Sequence, residues 1–130
     1  MDTEQKNELI HAIGELILSD PPTDGMRWDK LALVVAFDDG SQRIHGFYYD
    51  ASAEAEPATI NDFTIVETVA ELRQAMAEPS NKLWHSCLIQ IVRATHRIVL
   101  TFEYDDPERW HIKPQTLQHI KAAICPPDDL

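Results

Sequence analysis

Any chemistry in this chain must come from six histidines, two cysteines and several paired carboxylates. His85 and Cys87 alternate within an apolar run, so both side chains point the same way, and a His-x-Cys pair can begin a zinc site or a nucleophilic dyad. Neither use is completed by neighbouring sequence, and a cysteine in an apolar strand behaves as a small hydrophobe. His11 has Glu8 and Glu15 within about one helical turn, which describes a solvated helical pair better than a coordination sphere. His45, His96, His111 and His119 follow no recurring spacing. The serines lack a Gly-x-Ser-x-Gly setting, and the four glycines are not arranged to cradle a phosphate. Asp38-Asp39, Asp105-Asp106 and Asp128-Asp129 occupy turn-like or terminal sequence, where carboxylates favour turn geometry and hydration over raised pKa values. Asp105-Asp106 with Glu108 lacks the glycine and the twelve-residue pattern of a calcium loop. The expectation is a non-enzyme with no catalytic residue, no metal site and no cofactor.

Charge is more informative than any single residue. The net charge is -11, and residues 1–80 carry all of it, with 16 Asp/Glu against 5 Lys/Arg; residues 81–130 hold 6 of each. Such a field repels nucleic acid and anionic membranes and attracts basic proteins. The 130 residues suit one domain spanning 1–130, and 44% apolar residues give it enough material for a core. No apolar run approaches the roughly 20 residues needed to span a bilayer. Met1 to Lys6 has no basic start leading into an apolar stretch, so no secretory signal is read. Two cysteines do not make a disulfide framework, and a reduced, cytoplasmic protein is expected.

The elements that must position these groups repeat. Trp28 to Phe37 turns at Asp38-Asp39-Gly40-Ser41 into Arg43 to Asp50; 56 residues after Trp28, Trp84 to Val92 turns at Ala94-Thr95-His96 into Arg97 to Asp105. Each copy opens on Trp, pairs two β-rich runs and closes on Tyr-Asp. Leu9, Ile10, Ile13, Leu16 and Ile17 recur at helical spacing and predict a helix over 3–19, with Asp2 and Gln5 as a capping box and a stop at Pro21-Pro22. Thr64-Ile65-Val66-Glu67 reads as a second capping box, opening a helix over 64–77. A short last helix begins at Pro114 and turns Leu117, Ile120 and Ile124 inward. Residues 50–57 read as an acidic loop. The order α-ββ-α-ββ-α predicts an α+β fold, a four-stranded antiparallel sheet built from two β-hairpins with helices packed on it. An exposed sheet edge could self-pair, so the chain is expected as a monomer or a homodimer. Alternation places Tyr48 and Tyr49 on opposite faces, and at most one of them is expected to be buried.

This arrangement resembles the YezG-like family of bacterial immunity proteins. The residues that carry the resemblance are the Trp-led hairpin ending in Phe47-Tyr48-Tyr49, the helix with Leu72-Arg73, the second Trp-led hairpin ending in Phe102-x-Tyr104-Asp105, and Trp110 beyond. The resemblance covers nearly the whole chain and implies a protein that neutralises a cognate secreted toxin, commonly a nuclease, by stoichiometric binding. An acidic surface would then mimic the phosphates of a basic nuclease's substrate. Candidate contacts are Asp38 and Asp39 at the first turn and Asp50, Glu54, Glu56 and Asp62 after it, with Asp105, Asp106 and Glu108 as a second segment. Tyr48 or Tyr49 and Trp110 are candidate aromatic anchors. The competing expectation is a small ligand-binding or metal-dependent enzyme domain that uses a pocket between sheet and helices, with His85, Cys87 or His111 as its polar groups.

Overall fold

A computed structural model describes residues 3–20, 27–38, 41–50, 52, 54–58, 60, 62–77 and 82–127. The elements in order are α1 (Thr3–Ser19), β1 (Lys30–Asp38), β2 (Ser41–Tyr49), β3 (Ala55–Pro57), α2 (Thr64–Ala77), β4 (Ser86–Val92), β5 (Arg97–Glu103) and α3 (Leu117–Ala123). The fold is α+β, as the sequence predicts, but its antiparallel sheet has five strands in the order β3-β2-β1-β4-β5. The added strand, β3, pairs Ala55–Pro57 with Phe47–Tyr49. Three residues ending in proline are too few to display a period of two, so this stretch reads as loop until β2 supplies its partner.

Both faces of the sheet are covered, which explains why β1 is apolar at every position from Leu31 to Ala36. On one face, Leu31, Leu33, Val35, Tyr48, Cys87, Ile89 and Ile91 pack against Ile13 and Ile17 of α1 and Ile65, Val69 and Leu72 of α2. On the other, Ala32, Val34, Phe47, Tyr49 and Leu88 pack against Trp110 and against Ile120 and Ile124 at the end of the chain. Tyr48 and Tyr49 do lie on opposite faces, yet both are buried, because α3 and the segment before it cover the second face. Three polar side chains pin that cover. Tyr49 donates to the Lys121 carbonyl at 2.6 Å, Gln90 to the Ile124 carbonyl at 3.0 Å, and His45 Nε2 to the Trp110 carbonyl at 2.8 Å.

The sequence repeat becomes a local two-fold axis. β1 and β4 pair antiparallel with Leu33 opposite Ile89, its own equivalent 56 residues on. Hydrogen bonds at the ends of the hairpins follow the same symmetry. The Arg93 amide donates to the Asp29 carbonyl and the Phe37 amide to the His85 carbonyl, each at 2.9 Å; Asp29 donates to Tyr49, and His85 to Glu103. The carbonyls of the two hairpin tryptophans each accept from an arginine, Trp28 from Arg93 and Trp84 from Arg73. Trp28 sits 6.4 Å from Tyr48, and Trp84 sits 5.2 Å from Phe102. Tyr48 is therefore matched by Phe102, and the two Tyr-Asp endings are not equivalent. The second hairpin is two residues tighter, since Ala36 pairs with Arg43 but its equivalent Val92 pairs with Arg97. Its glycine-free turn is closed by His96 at φ 55°, a left-handed conformation that histidine adopts more readily than most side chains.

Local expectations at the helix ends are corrected in part. The cap of α2 is Asp62, whose carboxylate accepts from the Thr64 amide at 3.0 Å, and Thr64 lies inside the helix. The helical part of the last element starts at Leu117, after a turn in which the Thr116 amide donates to the Lys113 carbonyl. Asp2 of the first capping box lies outside the described residues.

Gly46 of β2 lies against the β1 backbone with no room for a side chain. A Cβ there would stand 2.9 Å from Leu33 Cα and closer still to the Ala32 carbonyl, both backbone atoms that cannot swing away. Gly46→Ala is expected to destabilise the fold by about 1–3 kcal/mol, the usual range for overpacking, and a denaturant midpoint shift measures it. A midpoint equal to wild type would contradict this tight approach.

Candidate functional site

The chain reverses after β2 around one carboxylate. Asp50 Oδ1 accepts from the amides of Ser52 at 2.8 Å and Glu54 at 3.0 Å, while the Asp50 amide donates to the Glu54 carbonyl at 3.0 Å. Aspartate is suited to this role because its short side chain satisfies amides two and four residues ahead without help from the sheet. The reversal lays β3 beside β2 with Tyr48 opposite Glu56 and Tyr49 opposite Ala55. An open cleft of about 470 Å³ results, lined by Arg27, Tyr48, Tyr49, Asp50, Glu54, Ala55 and Glu56. Three carboxylates thus meet at one corner of the sheet. Glu54 and Glu56 are exposed and make no ion pair among the described residues. Arg27 is the cation of this lining, and it too has no ion-pair partner among them.

The remaining candidates separate from this corner. Asp62 is half-buried and committed to structure: it caps α2, and its amide donates to Asp20 Oδ1 at 2.7 Å. Asp20 is itself 1% exposed, so this contact ties the end of α1 to the start of α2. Asp39 and the Asp38 side chain lie outside the described residues. Of the candidate aromatic anchors, Tyr48, Tyr49 and Trp110 are 4%, 2% and 5% exposed and pack into the two cores, with Tyr48 and Tyr49 also bordering the cleft. Burial pushes the Tyr49 phenol well above its ordinary pKa, with the Cys125 thiol adding to the shift, and its hydroxyl stays a donor to Lys121. A large exposed apolar group does occur nearby in sequence at Phe63, directly after the α2 cap. Nothing in a helix-start sequence pattern distinguishes an outward residue at this position from an inward one.

Asp105, Asp106 and Glu108 form a second acidic segment of different character, since cations lie beside Asp105 and Glu108. Lys82 lies 3.9 Å from Asp105, and Glu108 lies 3.8 Å from Lys113 and 3.6 Å from His111 Nδ1. The hub of this turn is Glu103, which the sequence does not distinguish because it lies within a strand pattern and not in the turn itself. Its carboxylate accepts the amides of Asp105 at 2.9 Å and Asp106 at 3.1 Å, and Arg109 at 2.9 Å. Those amides, and then Arg109, hold the Glu103 carboxyl down to about 2.

The polar groups of the competing expectation are dispersed. Cys87 is fully buried in the first core, and burial pushes its thiol pKa well up, the reverse of an activated nucleophile or a ligand. His111 meets Arg43 and Glu108 on the other face of the sheet. Burial lowers the pKa of His45 more than its hydrogen bond to Trp110 raises it, so it stays a neutral pin. Among the described residues no three His, Cys, Asp or Glu side chains are grouped to hold a metal ion. No helix among them is long and apolar enough to cross a membrane.

No protein-family model matches the chain, and no curated protein matches it. Fold and cleft together define an α+β domain, a twice-used hairpin sheet with an acidic corner at an edge strand, where Glu54 and Glu56 make no ion pair among the described residues.

Folding favours the charged form of Glu103, so its contribution to the 103–109 turn is complete above about pH 4.5 and is lost as pH falls through about 2. Wild type is therefore expected to exceed Glu103→Gln in stability at neutral pH, with the difference closing between those two values. A difference that stays constant through acid unfolding would contradict the assignment.

Proposed function

We propose that the protein acts without catalysis, by stoichiometric binding of a basic protein partner at the Asp50–Glu54–Glu56 corner. The observation that carries this reading is the contrast between the two acidic segments. Glu103 at the end of β5 is met by arginine, and Asp105 and Glu108 after it by lysine and histidine, whereas Glu54 and Glu56 stand open and make no ion pair among the described residues. Unmatched like charges around a cleft repel one another, and a cationic partner relieves that repulsion while being steered toward it. The partner class follows from the resemblance to YezG-like immunity proteins: a cognate toxin, with a nuclease-type domain supplying the basic surface. Cytoplasmic neutralisation of such a toxin agrees with a chain whose net charge disfavours nucleic acid and anionic membranes. An enzyme reading based on His85 and Cys87 gains nothing from a thiol sealed in the core.

The direct test is co-expression with the product of the neighbouring reading frame. A toxic neighbour that becomes harmless and co-purifies with this chain supports the proposal, whereas a harmless neighbour that forms no complex removes it. The surface is tested separately by Glu54→Lys with Glu56→Lys. Asp50 is left intact, because its carboxylate holds the reversal. Association is expected to slow about tenfold or more and to lose salt dependence. Stability should move by no more than about 0.5 kcal/mol, as for exposed side chains. Unchanged association kinetics would exclude this corner as the contact.

A further inference from the structure

The two edges of the sheet differ in how they are protected. β3 has three residues and ends on Pro57, which has no amide to offer another strand. β5 has seven residues and no proline, and it forms the opposite edge. Its two charges, Arg97 and Glu103, stand at its ends on the face turned away from α1 and α2. Between them Ile98, Leu100 and Phe102 are only partly buried against the first core, and Val99 is 37% exposed. A long edge of this composition is a template for pairing.

The residues of β5 complement themselves. If two copies lie antiparallel about an axis at Leu100, Arg97 of each stands opposite Glu103 of the other. Ile98 meets Phe102 on the helix-covered face, and Val99 meets Thr101 on the other. Opposite charges and matched apolar pairs directly across an antiparallel ladder are stabilising, and like charges there are not. Other registers lose this match. A slip of one residue sets Arg97 against Phe102 or Tyr104, and a slip of two sets Arg97 against Thr101 or Val99 against Glu103. Glu103 can accept the second copy's arginine while keeping Arg109, because a carboxylate offers about four acceptor sites.

We propose that the protein is a two-fold dimer joined edge to edge through β5, with one continuous ten-stranded antiparallel sheet. The interface is isologous and closes on itself, so it stops at two copies. It also leaves both acidic corners free at the far ends of the sheet, nine strand spacings or roughly 43 Å apart.

Sedimentation velocity of the full chain over a dilution series tests this. The expected species has twice the 14.8 kDa chain mass and dissociates on dilution. Arg97→Glu replaces both charge pairs with Glu–Glu contacts, and Val99→Lys puts a gatekeeper charge on the edge. Both positions are exposed, so circular dichroism should match wild type. Each variant is expected to weaken the dimer about tenfold or more. A chain that is monomeric throughout, a larger assembly, or a dimer that either variant leaves intact would overturn the proposal.

Discussion

The antiparallel pairing of β1 with β4 is the constraint on which the rest of the structure depends. It joins two hairpins that are far apart in sequence, and it does so with Leu33 facing its own equivalent, Ile89. Once that register is set, Asp29, Phe37, His85 and Arg93 find each other's backbone groups in symmetric pairs. The arginines that cap the Trp28 and Trp84 carbonyls also lie over aromatic rings, Arg93 over Trp28 at 4.8 Å and Arg73 over Phe37 at 4.7 Å. Slipping the pairing by one residue would turn the apolar set of one central strand to the opposite face and break these contacts together.

The two faces then diverge, and so do their uses. The first is a large apolar core under α1 and α2 that consumes both hairpin tryptophans and Cys87. The second is smaller and is closed by the end of the chain, pinned through Tyr49, Gln90 and His45. Histidines and a cysteine that look chemical in a list of residues become packing and pinning groups once the sheet is covered on both sides. Open chemistry is left at the rims, where turns and the edge strands β3 and β5 meet solvent.

Much of this architecture was legible in the sequence. The Trp28 and Trp84 spacing, the Leu31–Phe37 alternation and the helical period of Leu9 to Ile17 mark the hairpins and α1 directly, because each element is long enough to show its period. Three features were not legible, each for a physical reason. β3 is too short and exists only through Asp50 and β2. Burial of both Tyr48 and Tyr49 depends on α3 arriving from more than 60 residues away. The difference between the two acidic segments depends on Lys82 and Lys113 lying beside Asp105 and Glu108 and on Arg109 lying beside Glu103, which a running count of charge cannot reveal.

The most direct measurement is hydrogen–deuterium exchange on this chain, alone and in complex with the co-expressed product of the neighbouring reading frame. Protection on binding that centres on residues 50–57, with the 103–113 segment unchanged, is the predicted outcome. Protection centred on 103–113, or on α1 and α2 with 50–57 exchanging freely, would contradict the account.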